Sequence, residues 1–366
     1  TERTYTAETP LDDSLTVDNL TISDFAHVNY GSTLTVVDTL RVDGSANAHF
    51  TGTVNTDSLE VVSSGWLHNE NTASITYNSL NWTGGVITDD GGTMSLLSGG
   101  SSLTVPSGSV LYGNTARTFT GLTVDGTLSH TENTTNPDYT ISYTINGDAT
   151  ISGSGDINVN EKGYAVGEGL GAGVDGSNGS GGGAHGGDGG DGYTRIGGIA
   201  YGDYTAPDDL GSGGGLYNSR GGAGGGAVKL VVSGTTTVNG TISANGGYGD
   251  SDGYHVGGGG AGGSVWIDTG TLAGTGNIRA NGGDTRNDNT DGGGGAGGRI
   301  ALYYDTDSSL LNDVSANGGS TGSTDAQYGG AGTIYTKLNS AANGDLTIDN
   351  NKLGWNTDRQ YTAKTP

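Results

Sequence analysis

The stretch "GGGGAGGRIALYYD", near residue 300, sets a run of glycine directly against a clean β-strand, and the chain does this four times. The copies read "GGAGGGAVKLVV" (221–232), "GGAGGSVWI" (259–267), "GGAGGRIALYY" (294–304) and "GGAGTIYTKL" (329–338). Their central alanines, Ala223, Ala261, Ala296 and Ala331, fall 38, 35 and 35 residues apart. Between them stand "ISANGG" (242–247), "IRANGG" (278–283) and "VSANGG" (314–319), whose asparagines Asn245, Asn281 and Asn317 are spaced by 36 and 36. Markers phased over four units define an internal repeat, which constrains the fold more than any other feature.

Each unit contains a strand, a short turn, a second strand and the Ala-Asn-Gly-Gly corner. In "AVKLVVSGTTTVNGTISANGG", Val228, Leu230 and Val232 share a face, Ser-Gly-Thr reads as a turn, and Val238 and Ile242 follow. One such unit cannot bury its apolar face, but copies stacked along an axis share a continuous core. The repeat therefore predicts an all-β fold, a parallel β-helix or β-solenoid with glycine-rich coil extensions. Asn-Gly-Gly is expected to supply positive φ at sharp corners, and stacked asparagines to bond along the axis. The glycine runs are expected to pack backbone on backbone, with main-chain hydrogen bonds offsetting the entropy of ordering 75 glycines. Phosphate binding is a poor alternative, because no Gly-Lys-Ser/Thr and no helix signal follows any run.

Residues 11–160 carry a looser grammar of roughly 20 residues in "LTVDNLTISDFAHVNYGS", "TLTVVDTLRVDGSANAHFTG", "SLEVVSSGWLHN" and "GLTVDGTLSHT". They read as compact Thr/Val-rich coils, and 161–351 as the glycine-rich solenoid with repeats of ~36 residues. Within the second part, 163–226 is a long glycine-rich tract, either a linker or an ordered insertion. Tyr193, Tyr201, Tyr204, Tyr217 and Pro207 favour order. The period-2 strands exclude disorder of the whole chain.

The termini match. "RTYTAETP" (3–10) returns as "RQYTAKTP" (359–366). Segments 1–10 and 352–366 are thus expected to join units, either in a tandem array within a larger chain or at the joints of a polymer of this one. Both arrangements run head to tail, a heterologous contact that need not close. The expected interface is Thr4, Tyr5, Thr6, Ala7, Thr9 and Pro10 against Tyr361, Thr362, Ala363, Thr365 and Pro366.

Charge narrows the partners. With 39 acidic against 14 basic residues and a net charge of −25, the chain repels nucleic acid. No apolar run approaches the ~20 residues of a membrane span. The absence of cysteine excludes disulfides, thiolate catalysis and Cys-ligated metal. An acidic, Thr/Ser/Asn-rich chain suits an extracellular or cell-surface setting, with copies of itself and surface glycans as partners.

The text "EKGYAVGEG", "GGAHGGDGGDGY", "YGDYTAPDDLGSGGG", "GGGAVKLVVSG" with "VNGTISANGG", and "GGAGTIYTKLN" with "GDLTIDNN" resembles a loosely defined group of glycine-rich, β-helix-like secreted and cell-surface repeat proteins of bacteria. The resemblance covers about 150–351 and implies a structural or adhesive role. It brings no catalytic residues with it.

Chemistry has few candidates. β-Helices also serve polysaccharide-degrading enzymes, but the carboxylates here sit in turn loops, and no Gly-x-Ser-x-Gly elbow or His-Glu-x-x-His pair occurs. His27, His49, His68, His130, His185 and His255 read as scattered. No cofactor is required. Calcium is the more credible ligand, at Asp250 and Asp252, at Asn287, Asn289, Asp291 and Gly292, or at Asp305 and Asp307, although Gly298 stands where a closing acid belongs. Five sequons, at Asn19, Asn81, Asn133, Asn178 and Asn239, offer glycosylation sites. The function expected is a non-enzymatic structural subunit, or tandem repeat unit, of an extracellular filament or appendage. The alternatives are a monomeric adhesin or carbohydrate-binding stalk, and a β-helical polysaccharide-degrading enzyme.

Overall fold

Apolar residues alternate with Thr, Ser and Asp along most strands, and that alternation decides which face turns inward. The computed structural model describes residues 13–98, 100–216, 221–286, 292–322 and 325–351. Within them the chain is all-β and its sheets are almost entirely parallel. No helix among the described residues is long and apolar enough to cross a membrane.

There are three sheets. Sheet I has six strands and runs from Leu15–Ile22 through Thr33–Val42 and Thr53–Val62 to Thr93–Met94. Sheet II has ten, from His27–Tyr30 to Asp313–Ser315, and sheet III has ten, from Ser102–Val105 to Asp345–Thr347. In sheet II, Ala48, Leu67, Ile87, Leu111, Leu128, Ile157, Ile242 and Ile278 face their neighbours in turn, all of them fully buried. The offset between partners is 20 from Leu67 to Ile87 and 36 from Ile242 to Ile278 (87 − 67 and 278 − 242). Both periods expected from the sequence are therefore the spacing of paired strands. Burial of each of these leucines and isoleucines stabilises the fold by ~1.5–3 kcal/mol.

The two halves are not separated. Ile141–Ile145 pairs with Ala227–Val238, and Asp156–Asn158 pairs with Thr241–Ser243, so both long sheets pass residue 160 unbroken. One apolar cluster extends from Ile22 to Ala316. The Ser-Gly-Thr stretch is not a turn. Ala227–Val238 is one strand with a register shift between Val232 and Thr235, where the Thr235 N–H donates to Asp148 Oδ1 at 2.7 Å.

The glycine runs form a layer of their own, in which the direction of bonding repeats every three residues. Gly258 and Ala261 donate to Gly215 and Ser212, Gly259 and Gly262 to Gly293 and Ala296, and Gly260 and Gly263 to Gly247 and Ala244. The next run repeats the rule: Gly293 and Ala296 donate to Ser180 and Gly183, Gly294 and Gly297 to Gln327 and Gly330, Gly295 and Gly298 to Gly283 and Ala280. A three-residue turn without internal hydrogen bonds is polyproline-II geometry, and here each segment exchanges bonds with three surrounding ones. The corner glycines Gly246, Gly247, Gly282 and Gly283 are not among those with positive φ, which corrects the expectation for Asn-Gly-Gly. They are glycine because of close approach: a Cβ on Gly246 would lie 2.0 Å from the Gly260 carbonyl oxygen.

Residues 163–216 enter this layer as an ordered arm rather than a linker. The Gly183 N–H donates to Gly259 and the Ala296 N–H to Gly183, which places the arm between successive repeats. Three side chains also pin it to the outer face of sheet III. Tyr303 donates its hydroxyl to the Thr205 carbonyl at 2.6 Å and Ser264 to that of Asp209 at 2.6 Å. Arg299, only 5% exposed, donates to the Tyr201 carbonyl through Nε (3.0 Å) and Nη2 (2.7 Å). Replacing Arg299 with methionine removes these charge-assisted bonds, at a cost of about 2 kcal/mol. Limited proteolysis is expected to cut the Arg299→Met protein within 199–209 before the sheets open, and equal protection in both proteins would refute that anchoring role.

The asparagine ladder is present and starts one repeat earlier than the corner motifs. Asn160 Oδ1 accepts the Asn245 N–H at 2.7 Å, Asn245 Oδ1 accepts that of Asn281 at 2.8 Å, and Asn281 Oδ1 accepts that of Asn317 at 2.8 Å. Asn281→Ala leaves the Asn317 N–H unpaired, and the unfolding free energy in urea is expected to fall by about 1–2 kcal/mol. Asn281→Asp, which keeps the acceptor, should recover part of the loss.

Candidate functional site

The most developed polar-aromatic surface lies on the outer face of sheet III. Alternation on Ala227–Val238, Ser264–Ala273, Arg299–Asp307 and Thr333–Leu338 sends Lys229, Trp266, Tyr303 and Tyr335 outward, while Val228, Val265 and Ile300 stay in the core. The Lys229 ammonium sits 3.7 Å above the Trp266 ring, a cation–π contact. The Trp266 and Tyr303 ring centres are 6.4 Å apart, those of Tyr303 and Tyr335 5.7 Å, and Tyr204 from the arm closes on Tyr335 at 5.6 Å. The result is a row of four aromatics crossing three strands, with the arm as one wall.

Burial is uneven along it. Tyr335 is 9% exposed and Tyr204 41% exposed, so the row rises from the sheet toward solvent. Trp266 Nε1 is shielded yet makes no hydrogen bond. Beside Lys229 a cleft of about 240 Å³ is lined by Ser142, Pro207 and Asp208 among others. A second hollow, of about 350 Å³, contains Asp268, Asp305 and Asn339. Burial and the tyrosine and carboxylate neighbours raise the Tyr303 pKa, so its hydroxyl stays protonated as the donor to Thr205. The row offers flat apolar faces flanked by one ammonium and several carboxylates, which suits a polyhydroxylated ring better than an ion.

The residues singled out from sequence fall elsewhere. All the expected interface positions, Thr4, Tyr5, Thr6, Ala7, Thr9, Pro10, Tyr361, Thr362, Ala363, Thr365 and Pro366, lie outside the described residues. Asn19, Asn81, Asn178 and Asn239 are exposed. Asn133 is a correction: it is 1% exposed, its Nδ2 donates to the carbonyls of Tyr139 (2.9 Å) and Lys162 (2.8 Å), and the folded chain cannot present it to a glycan.

The calcium candidates do not converge. Asp250 Oδ1 accepts the Ser251 N–H and an Arg286 Nη1–H, and Asp252 Oδ1 accepts the N–H groups of Tyr254 and His255. Asp307 Oδ1 accepts both donors of Ser309, while Asp305 lies in the second hollow. Asn287, Asn289 and Asp291 lie outside the described residues, and Gly292 uses its carbonyl to accept from Thr285. The carboxylates that are described mostly cap their own turns.

The histidines are not all scattered. His27, His49 and His68 gather on the outer face of sheet II, where the 20-residue repeat brings consecutive strands together. His130 and His185 are fully buried instead. No family model matches the chain, and no curated protein or solved structure shows a significant match to it.

Proposed function

We propose that the chain is a β-solenoid serving as a rigid, non-enzymatic structural unit of an extracellular filament or surface appendage. The observation that carries this reading is sheet II, whose ten strands pair in parallel without a break from His27–Tyr30 to Asp313–Ser315, each bonded to the one a repeat away. Such a ladder resists bending because every rung is tied to the next by main-chain bonds, and the glycine layer adds a second tied lattice beside it.

The ends bear on how units meet. Asp345–Thr347 adds to sheet III antiparallel, and Asn350 Oδ1 accepts the Gly318 N–H at 2.6 Å. This segment covers the last rung of sheet III and of the glycine layer. Sheet II has no such cover among the described residues, since Asp313–Ser315 pairs only with Asn277–Arg279. Units therefore meet through terminal segments and sheet II rather than by endless extension of all three sheets. An unpaired edge is a template for another chain.

Electron microscopy of the purified protein tests the reading. Stiff rods, alone or joined end to end, are the expected outcome. Compact round particles or flexible strings would overturn it.

A second reading, a carbohydrate-binding stalk, draws on the row from Trp266 to Tyr204 and the unpaired Trp266 Nε1. Retardation of the protein in gels containing soluble polysaccharide, abolished by Trp266→Ala, would support it. Equal mobility across a panel of acidic and neutral glycans would remove it.

A further inference from the structure

Sheet II turns a second set of side chains outward that a stiff rod does not require. Asn29, His49, His68 and Thr88 face one another in register, and His27 stands beside this column. The rings of His49 and His68 stack at 3.7 Å with 12° between planes, and His27 lies 5.2 Å from His49. Glu70 follows the strand Trp66–Asn69 directly, and its Oε1 is 2.9 Å from His49 Nδ1. One donor atom from each of His49, His68 and Glu70 lies within 4.8 Å of the others, and no further such group of three occurs among the described residues.

One feature separates this cluster from an ordinary polar stack. His68 Nε2 is shielded from solvent and has no hydrogen-bond partner, and the same holds for His27 Nε2. A shielded imidazole nitrogen without a partner forgoes a bond that Asn or Thr would make at the same position.

We propose that His49, His68 and Glu70 form a binding site for a borderline divalent transition-metal ion, zinc above all. Two imidazoles and one carboxylate form a nitrogen-rich set that suits zinc, nickel or copper. Calcium requires six to eight oxygens, which the site does not supply. Tetrahedral zinc, with ligand bonds of about 2.0–2.1 Å, places its ligand atoms about 3.3 Å apart. The present separations, 2.9 Å for His49 Nδ1 to Glu70 Oε1 and at most 4.8 Å for the rest, adjust to that by side-chain rotation. Parallel rings cannot both aim a lone pair at one ion, so His68 turns out of its stack as the metal enters. Asp90, whose N–H donates to the Asn69 carbonyl, adds negative charge beside Glu70.

That rotation supplies a reporter. Trp66 also stacks on His68, at 4.7 Å, and is held there by its Nε1 bond to Thr88 Oγ1 at 2.7 Å. Moving His68 changes the environment of Trp66.

The test is equilibrium dialysis and calorimetry of the full chain with zinc chloride near pH 7, followed by copper(II) titration watched through tryptophan fluorescence. About one zinc per chain is expected, unaffected by excess calcium, with quenching that Trp66→Phe abolishes. His68→Ala and Glu70→Gln should each weaken zinc binding by about tenfold or more. Glu70→Gln keeps the question decidable if a histidine variant fails to fold, because Glu70 lies just past the end of its strand and is only half-buried. No bound zinc at about 100 µM, a concentration set against Kd values well below millimolar, would overturn the proposal. Unchanged zinc binding in folded Glu70→Gln and His49→Ala/His68→Ala proteins would overturn it as well.

Discussion

Gly295→Ala is expected to destabilise the protein by ~3 kcal/mol or more, whereas Gly153→Ala should leave it as stable as the parent or more so. Both substitutions add one methyl group to a glycine whose φ is not positive. They differ in what the methyl meets. A Cβ on Gly295 would lie 1.9 Å from the Gly260 carbonyl oxygen and 2.5 Å from its carbon, and both are backbone atoms that cannot rotate away. A Cβ on Gly153 meets nothing within 4 Å. At Gly153 the main effect is on the unfolded chain, whose entropy alanine reduces, a gain of ~0.4–1 kcal/mol. At Gly295 the intrusion also pulls on two bonds, from its N–H to Gly283 and from the Gly319 N–H to its carbonyl. The loss should spread along the stack, because each segment supports its neighbours. Urea unfolding of the two variants checks this. A Gly295→Ala protein within about 1 kcal/mol of the parent, roughly the error in such extrapolations, would show that the glycine segments are not packed this closely.

The same glycines show what could be read in the sequence and what could not. Spacing was legible, because stacking forces equivalent residues to recur: Asn245, Asn281 and Asn317 recur every 36 residues and bond in a line. The reason for glycine was half legible. Close approach was expected and is present, but positive φ was assigned to Asn-Gly-Gly where the backbone needs only room. The three-way bonding could not be read, since main-chain hydrogen bonds leave no side-chain pattern.

Docking of the arm was hidden for another reason. Tyr201 and Arg299 are 98 residues apart, and nothing local marks the carbonyl that Arg299 will reach. The histidine cluster was within reach. "HVNY", "NAHF" and "WLHN" are consecutive turns of the 20-residue grammar, and setting them one above another brings His49 directly over His68, with His27 to one side. Close spacing such as His-x-x-His marks a site on a single helix. A parallel sheet instead gathers residues one repeat apart, so its histidines look scattered until the strands are aligned.

Acid should destabilise the fold through histidines held neutral by burial, the fully buried His130 and His185 foremost and the half-buried His68 beside them. His130 is fully buried; its Nδ1 lies 2.8 Å from the Thr131 carbonyl, and its Nε2 accepts the Ala227 N–H at 3.2 Å. A proton on Nε2 would point at that N–H. Burial, with Lys162 adding to it, lowers the pKa to about 4. His185 is equally buried, with Nδ1 2.9 Å from the Gly262 carbonyl and no partner on Nε2. Burial and then the Arg299 charge lower its pKa to about 3. The unfolded chain takes up these protons near pH 6.5 and the folded chain refuses them. Stability is therefore fully present above pH 6.5 and falls as pH drops toward 4. Between pH 6.5 and 5 each fully buried histidine costs roughly 1.5 kcal/mol, so about 3 kcal/mol is expected to be lost through these two. Asp90, Asp156 and Asp209 act in the other direction, since burial raises their pKa values and the folded state takes up their protons earlier than the unfolded chain on acidification. They therefore offset part of the histidine slope rather than add to it. Urea midpoints at pH 7, 6 and 5 measure the slope, and His185→Gln should make it shallower by the share of one buried imidazole, whatever that variant's stability at pH 7. A flat profile across those three values would mean that neither imidazole is held neutral by the glycine layer around it.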